Sequence, residues 1–318
     1  QTTLGFFPLY PLAIWIVEPV FTVLTTHGAI WAASVAGALI STIGGAVATY
    51  LVYRLGTEWW DRKVGFRAAV LFAVFPGSVV FSMVYSEGLL LPLAAGCLLA
   101  LGHRRWLLAG ILAGFATAVQ PVAIILVPTC ATAALLEWRR SGWQRPVLRR
   151  VIVAPLLSLT GILAFAAFLW AWTGTPLANY EAQHHGWSEK TDLLAMLHLT
   201  TRLWAQITHQ HANERPVDLN LIVGLIGGIV LVGMLVLVWR QRRRIPPAAL
   251  VWTLGISLLA LTSEYVPPLP RMLITAFPAL MAVARYARGK WWPILLWTNS
   301  VLLVVLSVIT FYGLALRP

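Results

Sequence analysis

An aromatic, a hydroxyl-bearing and an acidic residue follow one another at Tyr85, Ser86 and Glu87, shortly after a Phe-Pro-Gly-Ser break at 75–78. A carboxylate in this position can bind sugar hydroxyls or accept a proton from one of them. The break is informative because proline and glycine within an apolar run free backbone groups for other partners. The residues alone equally allow Glu87 to cap a helix that begins at Gly88, since acids stabilise helix N-termini.

A second candidate is the proline-rich turn at 264–271, which ends in Arg271. A guanidinium carries a permanent charge and binds a phosphate or pyrophosphate through two hydrogen bonds. Glu264 and Tyr265, in the same turn, are candidates for contacts with a sugar or an acceptor. The competing interpretation is a salt bridge between Arg271 and Glu264.

Two further motifs place polar side chains beside prolines. Tyr10 belongs to Phe-Phe-Pro-Leu-Tyr-Pro at 6–11, and Gln120 belongs to Val-Gln-Pro at 119–121. We include Tyr10 and Gln120 among the candidates for sugar or acceptor binding. The aromatic motif equally fits an anchor at the membrane interface, where amphipathic rings are enriched.

Adjacent histidines at His184 and His185 are weak candidates, because they lack the helical spacing with an intervening Glu that zinc peptidases use. Solvated loop residues are the better interpretation, and we expect no metal site. The chain contains neither a phosphate-cradling glycine loop nor a Gly-x-Ser-x-Gly elbow. We therefore expect no soluble nucleotide substrate and no cofactor.

The elements that position these residues are membrane helices. Apolar residues make up 59% of the 318, only 11% are charged, and the mean hydropathy is +0.79. The apolar runs at 29–53, 151–172, 219–239 and 291–313 are long enough to cross a bilayer, which takes about 20 helical residues. The sequence predicts an all-α, polytopic transmembrane helix bundle that forms a single domain over 1–318.

The net charge of +12 comes from short basic clusters between the apolar runs, not from one basic face. The positive-inside rule assigns such clusters to the cytoplasm, and we expect no nucleic-acid binding. The five clusters are Arg54 with Arg62, Lys63 and Arg67; His103 with Arg104 and Arg105; Arg139 to Arg150; Arg240 to Arg244; and Arg285 to Lys290.

Because the five basic clusters are assigned to the cytoplasm, the chain between successive clusters must cross the membrane outward and return. Every candidate residue for chemistry then lies on the outer face. Hairpins at 68–102 and 106–138 turn outside, and 173–218 forms an outer loop. We assign 1–28 to an outer juxtamembrane segment whose apolar stretch forms an amphipathic helix in the interface, and about eight crossings or half-crossings follow it. The alternative is that residues 9–24 form a true first span.

The order of these motifs resembles the PIG-V-type mannosyltransferases of the GT-C glycosyltransferase superfamily. The resemblance rests on Phe-Phe-Pro-Leu-Tyr-Pro, then Phe-Pro-Gly-Ser with Val-Tyr-Ser-Glu-Gly, then the Pro-Arg turn before a late span. It implies a membrane enzyme that moves mannose from a polyprenyl-phosphate carrier to a lipid-linked glycan on the extracytoplasmic or luminal face, without a metal. By this resemblance Arg271 steadies the donor phosphate and Glu87 lines the acceptor side.

Two departures from the family pattern bear on the site. The family's catalytic Asp precedes the Phe-Phe-Pro-Leu-Tyr-Pro motif, so we expect that Asp, its loop and a first span upstream of Gln1. Relatives often carry Thr-Arg-Pro where this chain has Val119-Gln120-Pro121. The amino-acid composition is typical of a protein encoded by a GC-rich bacterial genome. It favours a bacterial plasma membrane over the endoplasmic reticulum. The alternatives to an enzyme are a transporter or lipid flippase, and an inactive scaffold subunit.

Overall fold

The computed structural model describes residues 5–24, 28–187, 192–213, 218–263 and 267–312, with helix as the regular structure and no β-strand in these ranges. In chain order the helices are α1 (Leu9–Leu24), α2 (Ala29–Trp59), α3 (Arg62–Val74), α4 (Glu87–Gly102), α5 (Trp106–Thr117), α6 (Leu126–Arg140), α7 (Arg145–Val151), α8 (Val153–Ser158), α9 (Thr160–Thr173), α10 (Ala178–Trp187), α11 (Ala195–Asn213), α12 (Leu219–Arg240), α13 (Pro247–Thr262), α14 (Pro270–Thr275), α15 (Phe277–Tyr286) and α16 (Trp291–Phe311). Two 3₁₀ stretches, Pro76–Ser82 and Pro121–Ile125, interrupt the series.

Several of these helices match the thickness of a bilayer, so the chain is a multi-pass membrane protein. Four single segments are long and apolar enough to span: Ala29–Trp59, Pro121–Arg140, Leu219–Arg240 and Trp291–Phe311. Two bent pairs bring the number to six, Arg62–Val74 with Pro76–Ser82 at 68° and Arg145–Ser158 with Thr160–Thr173 at 44°. The helices α4, α5 and α13 are apolar but shorter, which fits the expected mixture of full and partial crossings.

Small residues allow α2 and α4 to pack with their backbones almost in contact. A Cβ added at Gly44 would lie 1.7 Å from the carbonyl oxygen of Gly88, and one added at Gly88 would lie 2.4 Å from the Cα of Ser41. Such small-residue interfaces are how membrane helices approach closely, because lipid provides no hydrophobic drive between them. This contact holds the start of α4, and with it Glu87, against the middle of α2.

Replacing Gly44 with Ala is therefore expected to destabilise the bundle. The added methyl group meets backbone, which cannot rotate away, so the loss is about 1–3 kcal/mol of unfolding free energy or more. Gly233→Ala in α12 is the control, since a Cβ there has nothing within 4 Å. Thermal unfolding in detergent should show a lower midpoint for the first variant only, and equal midpoints would contradict the packing.

The basic clusters meet at one end of the bundle. Arg67 donates to the carbonyl oxygen of Ala287 at 3.1 Å and lies over the Trp292 ring, and Arg104 pairs with Glu137 at 3.2 Å. The 16 residues of α4 separate this end from Glu87 by about 24 Å at 1.5 Å per residue. The positively charged end and the candidate site thus lie at opposite ends of the same helices.

Candidate functional site

Glu87 is the first residue of α4 and is almost completely buried, with 6% of its surface exposed. Its Oε2 atom has no hydrogen-bond partner. The residue before the helix, Ser86, makes no side-chain capping bond, and no hydrogen bond from a backbone N–H reaches the Glu87 carboxylate in the described residues. The interpretation of Glu87 as a helix cap therefore lacks the hydrogen bond that such a cap would make. A buried carboxylate oxygen without a partner is costly, which is typical of a group kept for chemistry.

Ser86 connects the start of α4 to the turn between α5 and α6. The amide Nε2 of Gln120 donates a short hydrogen bond to the Oγ of Ser86. Gln120 is extended, with φ −151° and ψ 150°, because the following Pro121 disfavours helical backbone. The two short polar motifs that the sequence singled out separately are thus in direct contact.

Arg271 lies against the same segment. Its guanidinium carbon is 5.6 Å from the centre of the Tyr85 ring, within the range of a cation–π interaction. Arg271 is half-buried and makes no salt bridge among the residues that the structure describes. An aromatic face holds its charge in place, and no described carboxylate pairs with it. The alternative salt bridge with Glu264 stays a prediction, because Glu264 lies outside the described residues.

The Phe-Pro-Gly-Ser break explains how the Arg271 turn reaches Tyr85. The chain leaves helical geometry at Phe75, and the Oγ of Ser78 donates to the carbonyl oxygen of Phe72, which the break has freed. A Cβ at Gly77 would lie 2.2 Å from the carbonyl oxygen of Pro270. Only glycine allows the two backbones to approach this closely. The turn that carries Arg271 therefore packs directly against the Phe-Pro-Gly-Ser break.

Tyr10 lies behind the site. Its hydroxyl is 2.8 Å from the Oγ of Ser41 and 3.0 Å from the carbonyl oxygen of Gly37, and Ser41 in turn donates to the carbonyl oxygen of Tyr85 at 2.9 Å. Tyr10 is 6% exposed. These contacts connect Tyr10 through Ser41 to the Tyr85 backbone, and the contact of Tyr10 with a sugar or acceptor stays a prediction.

Sequence reasoning missed Ser41. It lies within an apolar run, where a single serine carries no functional signal, although it is one of the small residues that recur on the buried face of α2. The aromatic motif around Tyr10 is anchored further by a hydrogen bond from the Leu9 amide to the carbonyl oxygen of Ala118 at 3.1 Å, and by ring contact between Phe7 and Phe165. It is therefore packed against the bundle at this end of α5.

Four of the predicted site residues are not located by the structure. Glu264 and Tyr265 lie outside the described residues, and the side chains of His184 and His185 in α10 are likewise outside them. Among the described residues no group of three His, Cys, Asp or Glu side chains is arranged to hold a metal ion.

Asp192, shortly before α11, contacts the site end of the bundle. Its amide donates to the carbonyl oxygen of Thr262 at 2.7 Å, at the end of α13. Its carboxylate accepts from the amide of Leu194 at 2.9 Å and pairs with His198 through a short contact. The hydrogen bond from the Leu194 amide is the main cause that lowers the pKa of Asp192, and His198 adds to it. These bonds fix the start of α11 beside the proline-rich turn.

Neither a protein-family model nor a curated protein sequence matches the chain. Solved structures do match it. The crystal structure of ArnT from Cupriavidus metallidurans bound to undecaprenyl phosphate is 16% identical, covering 96% of this chain and 55% of ArnT, with a TM-score of 0.55. The apo oligosaccharyltransferase of Archaeoglobus fulgidus is 14% identical, covering 95% of this chain and 48% of its own, with a TM-score of 0.49. The chain spans about half the length of the solved structures it matches.

At this level of identity the likeness to ArnT concerns the fold alone. It confirms the fold class expected from the sequence, and the finer assignment to the PIG-V type stays a prediction. The chain has an all-α, membrane-embedded fold similar to that of ArnT.

Proposed function

We propose that this protein is a membrane glycosyltransferase that moves a sugar from a polyprenyl-phosphate-linked donor to a lipid-linked glycan acceptor on the extracytoplasmic face. The observation that carries the proposal is the closeness of a buried acid, whose Oε2 has no partner, to a cation without a salt bridge to any described residue. Glu87 offers a proton acceptor. Arg271 lies on the face of Tyr85, which is two residues before Glu87 in the chain, and offers a positive charge for a phosphate. Glycosyl transfer from a phosphate needs both groups at one place.

The donor class is supported by the fold. ArnT, which shares this fold, is bound to undecaprenyl phosphate in its crystal structure. A polyprenyl phosphate presents an anion at the membrane surface, at the depth where a half-buried guanidinium at a bundle end can bind it. We propose mannose as the sugar and the bacterial plasma membrane as the location, on the strength of the motif resemblance.

The reaction assigned to this site is a displacement at the anomeric carbon of the donor sugar. Glu87 takes the proton of the acceptor hydroxyl. The acceptor oxygen then bonds to the anomeric carbon while the bond from that carbon to the phosphate oxygen breaks. Arg271 stabilises the negative charge that remains on the departing lipid phosphate. Such preorganised stabilisation is worth about 3–4 kcal/mol of barrier in known enzymes.

The Gln120–Ser86 hydrogen bond has a role in the same scheme. Both side chains retain donor or acceptor capacity after bonding to each other. They lie beside Glu87 and are suited to bind hydroxyl groups of the acceptor, so that the reacting oxygen is held near the carboxylate.

The function is tested by incubating the protein in lipid vesicles with labelled polyprenyl-phospho-mannose and membrane glycolipid acceptors. We expect label to appear in the glycolipid fraction and free polyprenyl phosphate to accumulate in equal amount. Absence of transfer with every acceptor would sink the proposal. Movement of intact donor or glycolipid between leaflets, without transfer, would instead favour the transporter or flippase, and neither activity would favour the scaffold subunit.

A further inference from the structure

At the basic end of the bundle, far from the candidate site, the helices border an open cavity of about 370 Å³. It lies between the turn that joins α4 to α5, the C-terminal half of α6 and the loop that leads into α13. Its lining combines arginines and one acid with apolar side chains.

The rim of this cavity is strongly positive. Four arginines and one acid line it, which leaves a net charge of +3. Arg104 pairs with the acid, Glu137, at 3.2 Å. The other three, Arg140, Arg243 and Arg244, make no salt bridge in the described part of the chain and are exposed. Three guanidinium groups around one opening form a site for an anion with several oxygen atoms.

The floor of the cavity is apolar. Leu98 and Leu101 on α4, Trp106 on α5 and Ala249 on α13 are all at least nine-tenths buried. A soluble anion would gain no binding energy from contact with this apolar surface. A cationic rim above an apolar floor matches a molecule with a charged head and a hydrocarbon tail.

The end of α4 places Arg104 at the rim. Arg104 has a φ of 57°, in the left-handed region that disfavours residues with side chains. This conformation turns the chain sharply between α4 and α5 and aims Arg104 at Glu137. It belongs to the turn that ends α4, in which the Arg104 amide donates to the carbonyl oxygen of Leu101 and the Arg105 amide to that of Ala100.

We propose that this cavity binds the phosphate headgroup of an anionic phospholipid from the leaflet that faces the basic end, with the upper part of an acyl chain on the apolar floor. The positive-inside rule assigns this end to the cytoplasmic side, whose leaflet is rich in anionic lipids. Basic pockets between transmembrane helices are known sites for such headgroups. The site is separate from the transfer reaction and does not depend on the proposed function.

The test compares two triple variants that remove the same charge from the same end. Arg140→Ala/Arg243→Ala/Arg244→Ala removes these three guanidinium groups from the rim. Arg139→Ala/Arg149→Ala/Arg150→Ala removes three exposed arginines that do not line the cavity. Each protein is purified in detergent, and its thermal unfolding midpoint is measured with phosphatidylglycerol, with phosphatidylcholine and with inorganic phosphate.

We expect phosphatidylglycerol to raise the midpoint of the unaltered protein more than phosphatidylcholine does, because a ligand of the folded state stabilises it. The rim variant should lose at least half of this difference, and the control variant should keep it. Equal losses in both variants would reduce the effect to diffuse attraction and overturn the proposal. An equal rise with inorganic phosphate would overturn the assignment to a lipid.

Single replacements guard against a misfolded triple variant. Arg140→Ala and Arg243→Ala each remove an exposed side chain and are expected to fold. Each should reduce the lipid-specific shift and the amount of phosphatidylglycerol that stays bound after detergent washing. An unchanged shift in both single variants would contradict the site.

Discussion

Replacing Glu87 with Gln is expected to reduce sugar transfer by about 10²- to 10⁴-fold, the range that a general base contributes. The amide has nearly the same shape but accepts no proton from the acceptor. The folded state should not suffer, because the Oε2 atom of Glu87 makes no hydrogen bond that the change would break. Removing a buried acid without a partner is expected to leave the unfolding midpoint equal or raise it, as is common where stability has been exchanged for function.

The measurement is the rate of label transfer at saturating donor, set beside the thermal unfolding midpoint of the same preparation. Glu181→Gln serves as the matched control, since Glu181 is an exposed acid of the predicted outer loop. It should transfer at the unaltered rate. Full activity in the Glu87 variant would remove Glu87 from the mechanism. A large fall in stability would assign Glu87 a structural role.

Replacing Arg271 with Ala is expected to lower kcat/KM for the donor by about 10²- to 10³-fold, the usual effect of losing one preorganised group that stabilises developing charge. Arg271→Lys keeps the charge but loses the planar fork and the stacking on Tyr85. We expect it to retain part of the activity, between the unaltered protein and the alanine variant. Initial rates over a range of donor concentrations separate the effect on KM from that on kcat.

Arg242 offers a close control for this experiment. Its guanidinium carbon lies 4.4 Å from the centre of the Trp239 ring, so Arg242→Ala also removes an arginine stacked on an aromatic ring, but at the basic end. Donor kinetics should not change in that variant. If both alanine variants slowed transfer equally, the loss would reflect general electrostatics, and the assignment of Arg271 to the donor phosphate would fail.

The glycine positions show how far packing followed from the sequence. Glycine inside an apolar run predicts helices that pack closely, and the contacts of Gly44 and Gly88 agree with that. The sequence did not say which helix each glycine would face. Gly77 faces Pro270, nearly two hundred residues later in the chain, and no local pattern encodes such a partner.

The candidate site divides in the same way. Motif types and the parity of the basic clusters predicted that Tyr85, Ser86, Glu87, Gln120 and Arg271 share one end of the bundle. The contacts of Gln120 with Ser86, and of Arg271 with Tyr85, agree. The pattern did not indicate that the hydroxyl of Tyr10 would contact Ser41 and Gly37.

Composition and charge spacing by themselves determined that this chain crosses a membrane many times and which residues lie near its surfaces. The reason is that hydrocarbon demands long apolar helices and rejects charge, so both leave marks in the local sequence. Only the tertiary structure decided which polar atoms remain available. Whether the Glu87 oxygen caps a helix or stays unpaired, and whether Arg271 reaches the Tyr85 ring, depends on helices distant in sequence that pack around them.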